Sequence, residues 1–137
     1  MSILKNIIYF LTILIFLSYC ATKPEVITRV DEQKILRDRI QEYWQYKING
    51  NIEKAYQLET SGFRESVSLI EYLNRFKLVH YLKADISKIE IEGERGKASV
   101  NLTYVMFLKR LTQEKLRKIE EEDWIKIKSI WYHIPKE

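Results

Sequence analysis

The chain has 137 residues, of which 46% are hydrophobic and 31% are charged, and it contains one cysteine. A chain of this length can fold as one small domain without the help of disulfides. A single cysteine also excludes an internal disulfide. The net charge of +4 comes from 23 basic and 19 acidic residues. The basic residues are scattered along the chain, which argues against a nucleic-acid-binding protein.

The first 20 residues have the pattern of an export signal. Lys5 supplies a positive charge, an apolar run covers residues 7–17, and Leu17-Ser18-Tyr19-Cys20 closes it. This ending resembles the lipobox of bacterial lipoproteins, in which the cysteine thiol is diacylated and becomes the new N-terminus. The resemblance implies a signal peptide over residues 1–19 and a lipid on Cys20. It places the protein in the bacterial cell envelope, anchored to a membrane and facing the periplasm or the exterior.

An uncleaved N-terminal anchor is the alternative interpretation. Tyr19 departs from the small residue that usually precedes a lipobox cysteine. The apolar run from Ile7 to Ala21 is, however, shorter than the about 20 residues that a spanning helix needs. Both interpretations place residues 23–137 outside the cytoplasm. In the lipoprotein interpretation, residues 20–30 are the lipidated cysteine and a short tether; in the alternative, Cys20 is an ordinary small apolar residue.

Helical spacing follows the tether. Asp31 is a suitable N-cap, and Asn49-Gly50 is a suitable end for the first helix. Between them, apolar residues recur every three or four positions: Leu36, Ile40, Tyr43, Trp44 and Ile48.

Two shorter helices are predicted next. Asn51 can cap one that carries Ala55, Tyr56 and Leu58, and Thr60-Ser61-Gly62 is expected to break it. The sequence from Ser68 to Glu71 fits a capping box at the start of the other. Its buried face is predicted to be Ile70, Leu73 and Phe76 or Lys77.

After about residue 80 the periodicity changes to two. The clearest strand covers residues 97–108, and residues 82–92 form an earlier strand whose alternation slips near Ser87-Lys88, which indicates a β-bulge. Gly93 to Gly96 joins the two as a hairpin turn. Residues 113–126 fit a helix or a strand, with a strand favoured in the second half, and Trp124 to Ile134 fits a hairpin that bends at Lys128-Ser129.

These elements predict an α+β fold with helices on one face of an antiparallel sheet. Trp124 and Trp131 lie on the paired strands of the last hairpin, where we expect them to be structural residues.

Three segments resemble nuclear transport factor 2-like domains. Trp44 and Tyr46 precede the segment from Asn49 to Tyr56, Ser61-Gly62-Phe63-Arg64 follows, and Trp124 to Tyr132 resembles the closing hairpin. Lys128-Ser129 stands where that hairpin usually has Asp-Gly or Asn-Gly. The resemblance implies that residues 31–137 form one cystatin-like α+β domain, with N-terminal helices on a bent antiparallel sheet of about four strands in a cone-like roll. Such domains include isomerases, dehydratases, cyclases and non-catalytic exported proteins, so the fold does not choose the function.

Candidate catalytic groups are few. His80 would need an orienting partner to act as a base, and no such partner can be identified from the sequence. His80 and His133 lack the spacing of metal ligands, and phosphate-binding and nucleophile-elbow motifs are absent. We therefore expect no metal and no cofactor. The acidic run Glu120-Glu121-Glu122-Asp123 is interpreted as solvated surface.

The tyrosines are the unusual part of the composition. Tyr43, Tyr56 and Tyr104, together with His80, are candidates for the lining of an amphipathic pocket, although most tyrosines are expected at the edge of the core. We expect a non-catalytic, membrane-tethered binding or interaction module. Its partner would be an apolar small ligand, an envelope protein or a second copy bound through the sheet face.

An isomerase-, cyclase- or dehydratase-type enzyme that uses the cone-shaped pocket is the alternative. A buried carboxylate within hydrogen-bonding reach of a tyrosine would favour the enzyme, and a filled interior would argue against it.

Overall fold

The computed structural model describes residues 29–107 and 114–136, so the predicted signal peptide and Cys20 lie outside the described residues. Within these ranges, four helices precede four strands: α1 Arg29–Ile48, α2 Ile52–Gln57, α3 Ser61–Ser66, α4 Leu69–Arg75, β1 Val79–Glu92, β2 Arg95–Met106, β3 Leu116–Ile127 and β4 Ile130–Ile134. The strands form one antiparallel sheet in the order β1-β2-β3-β4. The predicted α+β fold is confirmed.

The core lies between α1 and the inner face of the sheet. Along α1 the apolar residues recur at helical spacing, and along β2 alternate residues from Ala98 to Leu102 point toward the helix. The buried members of this core are Leu36, Ile40, Tyr43, Trp44, Ala55, Leu58, Tyr81, Ala98, Val100, Leu102, Trp124 and Trp131. None of the described helices is both long enough and apolar enough to cross a membrane.

The end of α1 is as predicted, but its start is not. Gly50 adopts a positive φ of 75°, and the N–H of Asn51 donates to the carbonyl of Tyr46 at 2.8 Å, which closes the helix. At the other end the helix already includes Arg29, so Asp31 lies in the first turn and is not the N-cap. An acidic side chain in the first turn is stabilised by the helix dipole.

Helix α2 ends at Gln57, before the predicted Thr60-Ser61-Gly62 break, and Ser61-Gly62 begins a further helix, α3, that was not predicted. Leu58, Glu59 and Thr60 separate the two helices, and Thr60 is extended, with ψ of 150°. The start of α4 is confirmed, since the Ser68 hydroxyl accepts a hydrogen bond from the N–H of Glu71 at 3.3 Å.

The predicted buried face of α4 is only partly right: Leu73 and Phe76 are half-buried and Phe76 packs against the core, but Ile70 and Lys77 do not face it. Ile70 is 73% exposed and Lys77 is exposed, whereas Tyr72 is buried. The helix has only seven residues, so one large side chain decides which side faces the protein. The ring of Tyr72 lies 5.2 Å from the ring of Tyr56 and 4.9 Å from the ring of Phe76.

The sheet confirms the predicted bulge and the last turn. The register of β1 and β2 shifts between Ile86 and Lys88, and a second shift, which was not predicted, lies between Tyr81 and Lys83. Residues 116–127 form a strand throughout. Lys128 and Ser129 both have positive φ, 49° and 68°, as the two central residues of a type I′ hairpin turn do.

Trp124 and Trp131 are buried, in agreement with the predicted structural role. They do not face each other directly, because Trp124 pairs with His133 and Trp131 pairs with Lys126. The two indoles are therefore diagonal neighbours on the inner face of the sheet.

Candidate functional site

A group of ionisable side chains lies buried between the helices and the sheet. We call Tyr43, Lys47, Glu59, Tyr72 and His133 the Glu59 cluster. Glu59 is 1% exposed and Lys47 is 7% exposed. Charges removed from water to this extent need partners inside the protein.

The backbone brings the two ends of the cluster together. Glu59 lies in the connection between α2 and α3, and it forms a parallel β-bridge with His133 of β4. The N–H of Thr60 donates to the carbonyl of His133 at 3.0 Å, and the N–H of His133 donates to the carbonyl of Leu58 at 2.8 Å. These two hydrogen bonds hold the Glu59 carboxylate beside the imidazole.

Three side chains bind the Glu59 carboxylate. The hydroxyls of Tyr43 and Tyr72 donate to Oε1 at 2.8 and 2.6 Å, and Nδ1 of His133 lies 2.6 Å from Oε2. A carboxylate can only accept, so the proton of the last bond belongs to Nδ1. Lys47 Nζ donates to the hydroxyl of Tyr43 and extends the network into α1.

Aromatic rings surround the Lys47 ammonium. Nζ lies 4.0 Å from the ring centroid of Tyr43, 4.8 Å from Trp44, 4.7 Å from Phe76 and 5.9 Å from Tyr72. These distances are those of cation–π contacts, which partly compensate the ammonium for the water it has lost.

The pKa values follow from burial and from these partners. Burial raises the pKa of Glu59, but the hydrogen bond and charge of His133 and the contacts of Tyr72 and Lys47 outweigh it, so the net shift is downward. Burial and the Glu59 carboxylate raise the pKa values of Tyr43 and Tyr72. Glu59 is therefore ionised at neutral pH, and both phenols keep the protons that they donate.

Lys47 shifts in the opposite direction. Burial lowers its pKa from 10.5 to about 8, and the nearby carboxylates of Glu59 and Glu122 offset part of this shift. Lys47 consequently loses its charge at a lower pH than an exposed lysine does.

A second buried carboxylate, Glu122, lies on β3. The indole N–H groups of Trp44 and Trp124 donate to it at 2.8 and 3.0 Å, and burial raises its pKa. Glu122 is 4% exposed, so the interpretation of the acidic run as solvated surface is wrong at this residue. Alternation along the strand places Glu122 on the same inner face as Trp124.

The proposed pocket residues do not come together as one group. Tyr43 belongs to the Glu59 cluster, whereas the hydroxyl of Tyr56 donates to the carbonyl of Val67 at 2.7 Å. Tyr104 is half-buried. His80 is exposed and pairs with Val105, on the face of β1 opposite to Tyr81. Their pocket-lining role stays a prediction.

The inward positions of two members of the Glu59 cluster could have been recognised from the sequence. Lys47 follows Tyr43 by four residues and Ile40 by seven, so helical spacing places it in the buried stripe. His133 follows Trp131 by two residues in a strand, which places both on one face. Among the described residues, no three His, Cys, Asp or Glu side chains are grouped as a metal site requires.

The Glu59–His133 pair resembles the oriented base of a catalytic site more than it resembles a ligand-binding site. Glu59 holds His133 through Nδ1, which leaves Nε2 as the nitrogen able to take up a proton. The His133 side chain is 13% exposed, however, and the other members of the Glu59 cluster are more deeply buried. The groups are therefore ordered for proton chemistry but enclosed by protein.

We expect the free energy of unfolding to rise between pH 8 and about 10 in the native protein and to stay nearly constant in Lys47→Met. Lys47 has an ordinary pKa of 10.5 when unfolded and about 8 when folded. Over this interval the unfolded state binds more protons, so stability rises with pH. Above about pH 10 the raised pKa values of Tyr43 and Tyr72 act in the opposite direction.

Urea unfolding followed by tryptophan fluorescence at closely spaced pH values measures this difference. Lys77→Met, at an exposed lysine, serves as the control and should keep the native pH slope. Equal slopes in the native protein and in Lys47→Met would show that Lys47 titrates like an exposed lysine.

Comparisons with known proteins identify a structural neighbour. No protein-family model matches the chain, and no curated protein is significantly similar to it. The solution structure of a SEC-C motif containing protein from Rhodopseudomonas palustris is similar, with a TM-score of 0.61 and 10% sequence identity. The similarity covers 72% of this chain and 74% of that chain. At this level of identity, the two proteins share a fold, and nothing further follows from the likeness.

Proposed function

We propose that this protein is a lipoprotein of the bacterial cell envelope, anchored by a lipid on Cys20, whose domain is a non-catalytic binding or interaction module. The observation that carries the second part is the enclosure of the Glu59 cluster. Its carboxylate is bound by three side chains of the protein itself, and each of those side chains is mostly or fully buried. Such a network stabilises a unique packing and does not require a substrate to satisfy it.

We also propose that the domain, residues 31–137, is of the nuclear transport factor 2-like type. The segments that resemble this family run through α1, α2, α3 and the β3–β4 hairpin. Helices packed on one face of a bulged antiparallel sheet support the assignment.

The outer face of the sheet is the contact surface that we propose for an envelope protein or a second copy. Helix α1 packs on the inner face, and the outer face bears a groove of about 680 Å³ in which Ile119 is 66% exposed. By their pairing, the outer-face residues of the groove are Lys83, Asp85, Asn101, Thr103, Arg117 and Ile119; the groove also reaches Leu102 and Lys118, which alternate toward the inner face. Positively charged, negatively charged and uncharged polar side chains surround an exposed isoleucine, and such a surface suits a protein partner.

A small enzyme of the isomerase, cyclase or dehydratase type is the second candidate. The Glu59–His133 pair favours it, because two tyrosine hydroxyls lie within hydrogen-bonding distance of the buried carboxylate. Such an enzyme would need a path from solvent to Nε2 of His133. The lowered pKa of Glu59 would keep the carboxylate as the orienting group and the imidazole as the base.

The test of anchoring is the variant Cys20→Ala. The native protein is expected to partition into membranes with a diacyl mass on Cys20 and no leader, and the variant is expected to remain an unprocessed precursor. Tyr19→Ala is the matched control: it keeps the cysteine, supplies the small residue typical of a lipobox, and should be processed at least as well. Unchanged processing and partitioning of Cys20→Ala would favour an uncleaved anchor instead.

Native mass spectrometry of the protein purified from its own membranes reads out the mass on Cys20 and the occupancy of the domain together. A lipidated monomer or dimer with no further mass supports the interaction module. A retained small molecule that is lost in a His133→Ala variant would favour the enzyme.

A further inference from the structure

We propose that the β3–β4 turn and the first two turns of α1 form a membrane-facing surface that rests on the bilayer carrying the lipid of Cys20. We call this surface the proximal patch and define it as Ile35, Ile127, Lys128, Ser129 and Ile130. The proposal rests on the anchoring of the protein through Cys20 and adds to it a second, non-covalent contact with the same bilayer.

The start of α1 and the β3–β4 turn lie at the same end of the molecule. Lys126 Nζ bonds to the carboxylate of Glu32 at 2.7 Å, which joins the end of β3 to the first turn of the helix. The N–H of Lys126 also donates to the carbonyl of Glu94 at 2.8 Å, so the β1–β2 turn lies at this end too. The far end of α1 lies near the start of β1, since the Trp44 ring is 5.0 Å from the ring of Tyr81.

The attachment point makes this end the one closest to the membrane. Only eight residues separate Cys20 from Arg29, the first residue of α1. Even a fully extended chain of this length spans at most about 30 Å, which is comparable to the diameter of a small domain. A lipid on Cys20 therefore holds the start of α1, and the β3–β4 turn beside it, within about 30 Å of the bilayer surface, whereas the far end of the domain is not limited to that distance.

The proximal patch has the composition of a surface that contacts an interface. Ile35 and Ile130 are both 46% exposed and Ile127 is 41% exposed, and none of the three belongs to the buried core. Ile127 and Ile130 pair across the turn, and Lys128 between them is exposed and basic. Apolar side chains beside a basic one suit the boundary between acyl chains and anionic headgroups.

The size of the patch favours a bilayer over a protein partner. Three half-exposed isoleucines provide much less surface than the about 800 Å² per partner that a stable protein interface buries. A weak apolar contact is sufficient at a membrane, because the lipid on Cys20 already holds the domain there and raises its local concentration. The patch then sets the orientation of the domain and directs the far end of α1 away from the bilayer.

The experiment measures the depth of two labels in the full-length protein. Because the thiol of Cys20 is acylated, Ser129→Cys and, separately, Asn74→Cys each provide one free thiol for an environment-sensitive fluorophore. Ser129 belongs to the proximal patch, whereas Asn74 is an exposed residue of α4. The labelled lipoprotein is reconstituted into phosphatidylcholine–phosphatidylglycerol vesicles that carry a nitroxide high on the acyl chain.

The label at Ser129 is expected to be quenched at least about twofold more than the label at Asn74, as a group at the depth of an interfacial side chain should be. Adding Ile130→Gln to the Ser129→Cys protein should reduce the quenching, with circular dichroism confirming the fold. Equal, weak quenching of both labels on vesicle-bound protein would overturn the proposal while leaving the anchor intact. Failure of the protein to bind vesicles or to carry a lipid mass would instead refute the proposed anchoring, and the membrane-facing surface with it.

Discussion

Replacing Glu59 with alanine is expected to lower the free energy of unfolding by about 3–5 kcal/mol, the range found when one partner of a buried ion pair is removed. The variant leaves two phenols and an imidazole without their common acceptor. It also leaves the Lys47 ammonium without the nearby carboxylate that offsets part of its burial. Urea unfolding at neutral pH, followed by tryptophan fluorescence, measures the loss.

Two further variants serve as comparisons for the loss of stability in Glu59→Ala. Glu65→Ala removes an exposed glutamate of α3 and should change stability by no more than about 0.5 kcal/mol. Glu59→Gln keeps an acceptor oxygen for the two phenols but removes the charge, so its loss should lie between those of Glu65→Ala and Glu59→Ala. A change below about 1 kcal/mol in Glu59→Ala would mean that the network rearranges freely and is not a structural requirement.

Gly96→Ala is expected to destabilise the protein by about 1–3 kcal/mol, because one added methyl group would overpack the core. A Cβ at this position would lie 2.5 Å from Cδ2 of Leu36 and 3.3 Å from Cζ3 of Trp131. Both neighbours are buried, at 0% and 1% exposure, so neither can turn toward solvent to make room. Thermal and urea unfolding of the purified variant give the size of the effect.

Gly62→Ala is the matched control and should have the opposite sign. Nothing lies within 4 Å of the Cβ position at Gly62, its φ is not positive, and the residue is part of α3. Alanine in a helix is favoured over glycine by about 0.5–1 kcal/mol, so this variant should be slightly more stable than the native protein. Similar losses in both glycine variants would exclude the contact with Leu36 as the cause.

The parts of the fold that could be predicted from the sequence are those that depend on neighbouring residues. The Asn49-Gly50 end of α1, the cap at Ser68 and the turn at Lys128-Ser129 each depend on a few adjacent side chains, and each is confirmed. The bulge near Ser87 was also predictable, because a slip in alternation is visible in the sequence itself. Local conformational preference determines these features, and it can be predicted because it depends on residues that are adjacent in the sequence.

The Glu59 cluster and the buried Glu122 could not be predicted in the same way. Glu59 and His133 are 74 residues apart, and Glu59 lies in a connection that has no periodic pattern. Lys47 and Glu122 do follow the inward spacing of their elements, but a charged residue at such a position is normally taken as a break in the apolar stripe. Only tertiary contacts, such as the indole N–H groups that bind Glu122, explain why these charges are inside.

The length of chain between Glu59 and His133 also determines when the fold can be completed. His133 lies in β4, the last strand, and that strand binds the connection between α2 and α3 through one parallel bridge. A chain emerging from its N-terminus presents Glu59 early, but it gains the imidazole and the edge contact only with its last residues. Contacts of such sequence separation slow folding. A partial chain that lacks β4 therefore cannot complete the Glu59 cluster, because the Glu59 carboxylate still lacks its imidazole partner.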